Sequence, residues 1–365
     1  MKKIEFDIEM ITPMFMSGEN QAKFELRPPS FKGAMRFWWR AYCWGNNTQY
    51  TDLEELQKYM MEKEGEIFGT ASDKGRKSGF SIRLKKQETN AILDPFPKHF
   101  VKAQSGGRTF NINILEYLAY GTYNYQRGKG NVFNRKYIPA GSVCSVILNI
   151  SDETVEKDVI RSFYFLSVFG GLGAKSRNGF GNFVIKKIAL ENRDLLKGLE
   201  FPFPTTKFFD EMMKNDKLPG FSGFSKHMKI FKLKQSHDSW ADCLAKLGTI
   251  YRTSKLQLDE PHKCEKRQYI ASPIAVQKHV GGRMRTYDGS FLERRAKPYF
   301  LKVIKIKNGF DGYIIYLPSK YCEGLSEDRY DNPIPDDADE KFKNYCDEFN
   351  EYLLYNGMEI YYKRL

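Results

Sequence analysis

The order in which the apolar period switches between two residues and about 3.6 constrains this chain more than any single motif. Residues 3–11 alternate, with Ile4, Phe6, Ile8 and Met10 on one face and Glu5, Asp7 and Glu9 on the other, which predicts a half-buried first strand. Past Gly18, Asn20 and the pair Pro28-Pro29, helical spacing predicts a helix from Ser30, as N-cap, to about Trp44, and a second from Thr51 to Gly69. Alternation returns in 79–87, and strand character in 137–150. The segment 152–170 is helical, with Asp152 as N-cap and Val155, Val159, Phe163, Leu166 and Phe169 on one face, and 182–190 reads as a strand. Strand, helix, strand, strand, helix, strand is the split βαβ order, which folds as an antiparallel sheet with both helices on one face.

The second half repeats this plan less clearly. Residues 205–255 read as helical and interrupted by Gly and Pro, with 240–256 the best helix. Residues 266–280 read as a strand pair or bent strand with Pro273 at an edge or bulge, 297–306 and 312–320 as a hairpin across Asn308-Gly309, 336–357 as an acidic helix and 358–365 as a last strand. The expected fold class is therefore α+β, two tandem ferredoxin-like domains with helical and loop insertions, divided as 1–195 and 196–365. A chain of 365 residues accommodates two domains.

Charge narrows the partners. Fifty-eight Lys and Arg against 45 Asp and Glu leave +13, an excess that favours polyanions, nucleic acid before membrane surface, and is equally compatible with simple solubility. No apolar run is long enough to cross a bilayer, so no membrane partner is expected. The cysteines at 43, 144, 243, 264, 322 and 346 form no CxxC pair, which suits reduced thiols and a cytoplasmic location better than a disulfide framework or a zinc site. The histidines at 99, 227, 237, 262 and 279 are isolated and no carboxylate cluster reads as a two-metal centre, so no catalytic residue, metal or cofactor is expected.

Two stretches stand out. "RPPSFKGAMRFWWRAY" places Lys32, Arg36, Trp39 and Arg40 on one helix face beside a second face carrying Phe31, Met35 and Trp38. Trp38 reads as core. Trp39, set among cations, reads equally as a nucleobase stacker and as a structural cation–π partner. "GGLGAKSRNGFG" (170–181) interleaves glycines, Gly171 and Gly173 among them, with Lys175, Ser176, Arg177 and Asn178. It runs from a helix into a strand and has Ala174 before its lysine, which excludes a Walker A loop and favours amides tracking a nucleic-acid backbone. Farther on, Arg267 and Arg283, with Lys278 and Arg285, flank a strand and a Gly-Gly turn and could meet phosphates, although solvated hairpin ends are the commoner use of such residues.

Together, "TPMFMSGENQAKFELRPPSFKGAMRFWWRA" and "GGLGAKSRNGFGNF" resemble the RAMP superfamily of CRISPR proteins, and within it the first-subunit family of the Cmr (type III-B) effector complex. "RQYIASPI" is similar to the corresponding region of that family's second domain. The resemblance implies tandem ferredoxin-like domains and a non-catalytic RNA-binding subunit of an antiviral ribonucleoprotein, capturing target RNA near the guide 3′ end. It implies guide CRISPR RNA, target RNA and other Cmr subunits as partners. Carried over by position, the RNA-binding helix maps to Lys32, Arg36, Trp38, Trp39 and Arg40, and the glycine-rich loop to Gly170–Gly181. Asn178 stands where the family often has a second arginine. The alternative is a RAMP-type metal-independent endoribonuclease that processes guide precursor.

Overall fold

A computed structural model describes residues 2–50, 52–71, 75–85, 90–105, 108–260, 265–271, 275–280, 283–288, 296–321 and 336–364. The chain begins with β1 (Lys2–Met10), whose alternate residues Ile4, Phe6, Ile8 and Met10 are buried as their spacing requires. Then come α1 (Pro28–Asn46), α2 (Leu53–Phe68) and β2 (Phe80–Lys85). An insertion follows: a hairpin β3 (Phe100–Ser105) and β4 (Arg108–Asn113), the short helix α3 (Ile114–Leu118), and a second hairpin β5 (Tyr123–Gln126) and β6 (Gly130–Phe133). β7 (Val143–Ile150), α4 (Glu156–Phe169) and β8 (Phe183–Ala189) complete the unit. Its sheet has the order β2-β7-β1-β8, with every neighbouring pair antiparallel. That is a ferredoxin-like sheet.

The second unit starts after α5 (Thr206–Met212). β9 (Lys229–Leu233), α6 (Trp240–Gln257), α7 (Arg267–Ile270), and the pair β10 (Ala275–Val280) and β11 (Arg283–Asp288) lead to β12 (Tyr299–Ile306) and β13 (Gly309–Tyr316). α8 (Ala338–Tyr355) and β14 (Met358–Lys363) close it. The sheet order β12-β13-β9-β14 repeats the first plan, so the fold is two tandem ferredoxin-like units with insertions.

Three expectations are corrected locally. α1 begins at Pro28, not at a Ser30 cap: both prolines occupy its first turn, where a missing N–H breaks no helical bond and a fixed φ fits the helix. Thr51 lies outside the described residues, and Asp52 caps α2 by accepting from the Glu54 amide at 2.8 Å. In the second half, β9 is a strand inside a stretch read as helical, and residues 267–270 form a helical turn where a strand was expected.

The units share their interior. One apolar cluster runs from β1, α1 and α4 through Phe208, Phe209 and Phe224 to Ile230, Phe300 and Tyr313. At the seam, Lys302 of β12 is fully buried and donates its Nζ to the carbonyls of Ser167 and Gly170 at the end of α4, the second at 2.8 Å. An amine there donates to helix carbonyls that have no partner within the helix.

Candidate nucleic-acid interface

α4 ends at Phe169, and the chain turns at Gly170, beneath the indole of Trp38. A Cβ on Gly170 would lie 2.3 Å from Trp38 Nε1, so the glycine is what allows α1 and the loop to touch. Here the two sequence motifs meet. Ala34, Phe37 and Trp38 from α1, Gly170, Gly171, Ser176 and Arg177 from the loop, and Phe300 from β12 line a cavity of 220 Å³.

The loop is braced from beneath. Gly173 (φ 81°) and Gly181 (φ 66°) approach so closely that a Cβ would meet Phe15 O at 2.0 Å and Leu172 O at 1.9 Å. Ala174 donates its amide to Phe15 O at 2.7 Å, and Gly181 donates to Pro13 O at 2.8 Å. Thr12, fully buried, donates its hydroxyl to Gly179 O and accepts from the Asn182 amide. Asn182 in turn donates its side chain to Gly170 O and accepts from Val303 N, tying both ends of the loop to β12. Lys175 takes a left-handed backbone, φ 62°, and opens one turn of 3-10 helix over Ser176–Asn178.

Arg177 is the cation of the cavity. Its guanidinium lies 4.5 Å from the Phe300 ring and 5.4 Å from the Phe37 ring, and donates to Lys297 O and, at 3.4 Å, to Ser222 Oγ. Lys297 is itself buried, its Nζ 4.0 Å from the Tyr251 ring centre and without a hydrogen-bond partner among the described residues; burial, with Lys255 and Arg177 nearby, holds it well below the ordinary lysine range. The charge at the cavity is therefore that of Arg177, and the neighbouring Lys297 favours its neutral form. Lys175 points the other way, its Nζ 3.7 Å from where a Cβ of Gly121 would stand.

The cationic face of α1 turns away from this cavity. Arg40 grips Glu64 of α2 through Nε and, at 2.6 Å, through Nη2. Arg36 donates to Gly69 O at 2.9 Å, lies 3.4 Å from Glu64 and sits 5.5 Å over the Phe68 ring. Lys32 rests 5.0 Å over Phe80, and burial lowers its pKa. Trp39 is 2% exposed and donates Nε1–H to Asp158 at 3.1 Å. A base cannot stack on a ring packed between α2 and α4, so Trp39 is corrected to core. Burial pushes the Asp158 carboxyl up, and the indole bond partly offsets that.

Of the remaining candidates, Asn178 donates to Leu118 O at 2.7 Å and ties the loop to α3. Arg267 forms a 2.9 Å ion pair with Asp259, itself nearly buried. Arg283 lies on β11, pairing with Val280, and its side chain falls outside the described residues. Sequence reasoning missed Phe37, although it stands next to Trp38, and missed Phe300 and Lys297, which only the tertiary fold brings here.

The described cysteines 43, 144, 243 and 346 are buried. Among the described residues no His, Cys, Asp or Glu cluster could hold a metal, and no helix is long and apolar enough to cross a membrane.

The RAMP superfamily model matches residues 7–184, from β1 into β8. The N-terminal half of the chain is similar to the RAMP superfamily. The match takes in both motifs that line the cavity. Relatives of the chain include the CRISPR system Cmr subunit Cmr1-1 of Pyrococcus furiosus, 28% identical over 211 residues, which are 58% of this chain and 55% of that protein. The chain thus spans about half the length of that relative. Cmr1-2 of the same organism is 27% identical over 194 residues, 50% of this chain and 95% of that one. In fold, the crystal structure of Pyrococcus furiosus Cmr1 without ligand superposes with a TM-score of 0.57 at 20% identity, covering 100% of both chains. A chain of the type III-B Cmr-beta complex bound to cognate target RNA and AMPPnP superposes with a TM-score of 0.51 at 12% identity, covering 96% of this chain and 98% of that one.

Proposed function

We propose that this protein is a RAMP-type, non-catalytic RNA-binding subunit of a type III-B CRISPR (Cmr) ribonucleoprotein, which helps to capture target RNA near the guide 3′ end. The observation that carries the reading is the convergence of α1 and the glycine-rich loop on one cavity, where aromatic walls, main-chain groups and Arg177 stand together. Half-buried Phe37 walls the cavity with the buried Phe300 behind it, half-buried Arg177 stacked on both brings a planar fork of the kind suited to phosphate, and the loop lets a backbone approach closely. Lys175 extends positive charge along the loop's far side. The net charge of +13 adds attraction for a polyanion at long range. Guide CRISPR RNA, target RNA and the neighbouring Cmr subunits are the partners in this reading, and the named relatives and the RNA-bound structural neighbour support it.

The described lining of the cavity holds no histidine and no carboxylate, which favours holding RNA over cutting it. The test is binding of an unstructured RNA oligonucleotide to the full chain by fluorescence anisotropy at several salt concentrations. Affinity should fall steeply with salt, Arg177→Ala should weaken it about tenfold or more, and the RNA should stay intact in EDTA. Salt-independent binding, or specific cleavage, would overturn the reading.

A further inference from the structure

The insertion between β2 and β7 carries a surface that the cavity does not use. The β5–β6 hairpin is held firmly at its base. Asn134 donates its amide to Thr122 O at 3.1 Å, Thr122 is buried with its hydroxyl on Ala119 O, and Phe133 packs into a ring cluster with Phe15, Phe96 and Tyr137. Asn131 fixes the hairpin from the side, donating to Glu116 at 2.6 Å.

On that rigid base the outer aromatics stay in water. Tyr120 is 73% exposed and Tyr125 75%. Tyr123 and Tyr125 share a face of β5 because they are two residues apart. The half-buried Tyr123 stands edge-on to Tyr120 at 6.3 Å and to Phe133 at 5.9 Å, which anchors the row. The tip adds exposed Arg127 and Lys129, each followed by a glycine with positive φ, Gly128 (φ 83°) and Gly130 (φ 77°). From 117 to 136 the sequence has Arg127, Lys129, Arg135 and Lys136 and no Asp or Glu. The row starts at Gly121, against which Lys175 of the glycine-rich loop lies.

We propose that this hairpin is a stacking platform for single-stranded RNA, receiving unpaired bases on Tyr120 and Tyr125 and carrying the strand on from the glycine-rich loop. The inference rests on the RNA-binding reading above and deepens it by naming unpaired ribonucleotides as the ligand. Rings offered singly to water beside cations suit bases, since every base has a π-face and every linkage a negative charge. The core of a protein interface is depleted of charge, whereas these rings stand beside exposed Arg127 and Lys129, with no Asp or Glu from 117 to 136. Recognition of this kind is tolerant of sequence.

The full chain is tested with an oligouridine probe, once labelled for anisotropy and once carrying 5-bromouridine for photocrosslinking. In the wild type, crosslinks should map to the peptide around Tyr120–Arg127. Tyr120→Ala/Tyr125→Ala should weaken binding by about tenfold or more, while Tyr120→Phe/Tyr125→Phe, which keeps both rings, should bind within about twofold of wild type. If the Ala variant binds normally while Lys175→Ala/Arg177→Ala is weakened, the platform alone is wrong. If the wild type binds no RNA, the broader reading falls with it. An Ala variant with full RNA affinity that no longer assembles with partner subunits would make the hairpin a protein interface and overturn the proposal. Crosslinks that spare the hairpin would do so without any variant.

Discussion

Replacing Trp39 by phenylalanine keeps most of the buried ring and removes the N–H on which Asp158 depends. Leaving a buried acceptor without its donor costs on the order of 1–3 kcal/mol, so thermal unfolding should shift down while the folded variant binds RNA as the wild type does. Glycine positions make a sharper case. Gly173→Ala and Gly181→Ala would each drive a methyl into a carbonyl oxygen at a positive φ, and chemical denaturation should register losses of more than about 2 kcal/mol. At this scale the sequence was half legible. That the loop needed its glycines was readable; that Gly173 meets Phe15 and Gly181 meets Leu172 was not, because Phe15 is far away in sequence and Leu172 reaches Gly181 only where the loop folds back on itself. Trp39 misled for a related reason: helical spacing puts it among cations, but the face it shares with them is covered by α2 and α4.

Elements that declare themselves by period were found, and those defined by tertiary context were not. β1, α4 and α8 follow their apolar spacing, with Phe342, Cys346, Phe349 and Leu353 buried along α8. β9 is five residues long with a mixed pattern, Lys229–Leu233, and is a strand because β13 and β14 flank it. The seam between units was hidden in β12, where Lys302 sits at an interior position. Burial pushes its ammonium down to about 7 from an ordinary value of 10.5. Between those values the unfolded chain holds a proton that the native chain has released, so native stability rises with pH through this window. Wild type compared with Lys302→Met should therefore gain stability from pH 7 to pH 10, by at most about 1.4 kcal/mol per pH unit, and denaturant titrations across that range will read it. The same substitution removes a donor from Gly170 O, and so bears on the loop's anchorage.

Across the whole molecule, two ferredoxin-like units are joined along a common apolar interior, and we propose the boundary between residues 195 and 196, after β8 and before α5. The cavity belongs to both units, since Phe300 and Lys297 of the second complete what α1 and the loop of the first begin. That sharing explains why the site was only partly legible: the two motifs announced themselves, and their third partner did not. It also divides α1 into a side facing the cavity and a side facing α2, with Arg36 and Arg40 engaged on Glu64. The decisive measurement is RNA affinity of the full chain carrying Arg36→Ala/Arg40→Ala beside Lys175→Ala/Arg177→Ala, at matched salt. The loop pair should lose about tenfold or more with a shallower salt dependence, and the helix pair should stay within about threefold of wild type. Equal affinity in the loop pair, or a loss confined to the helix pair, would contradict the placement of RNA at this cavity.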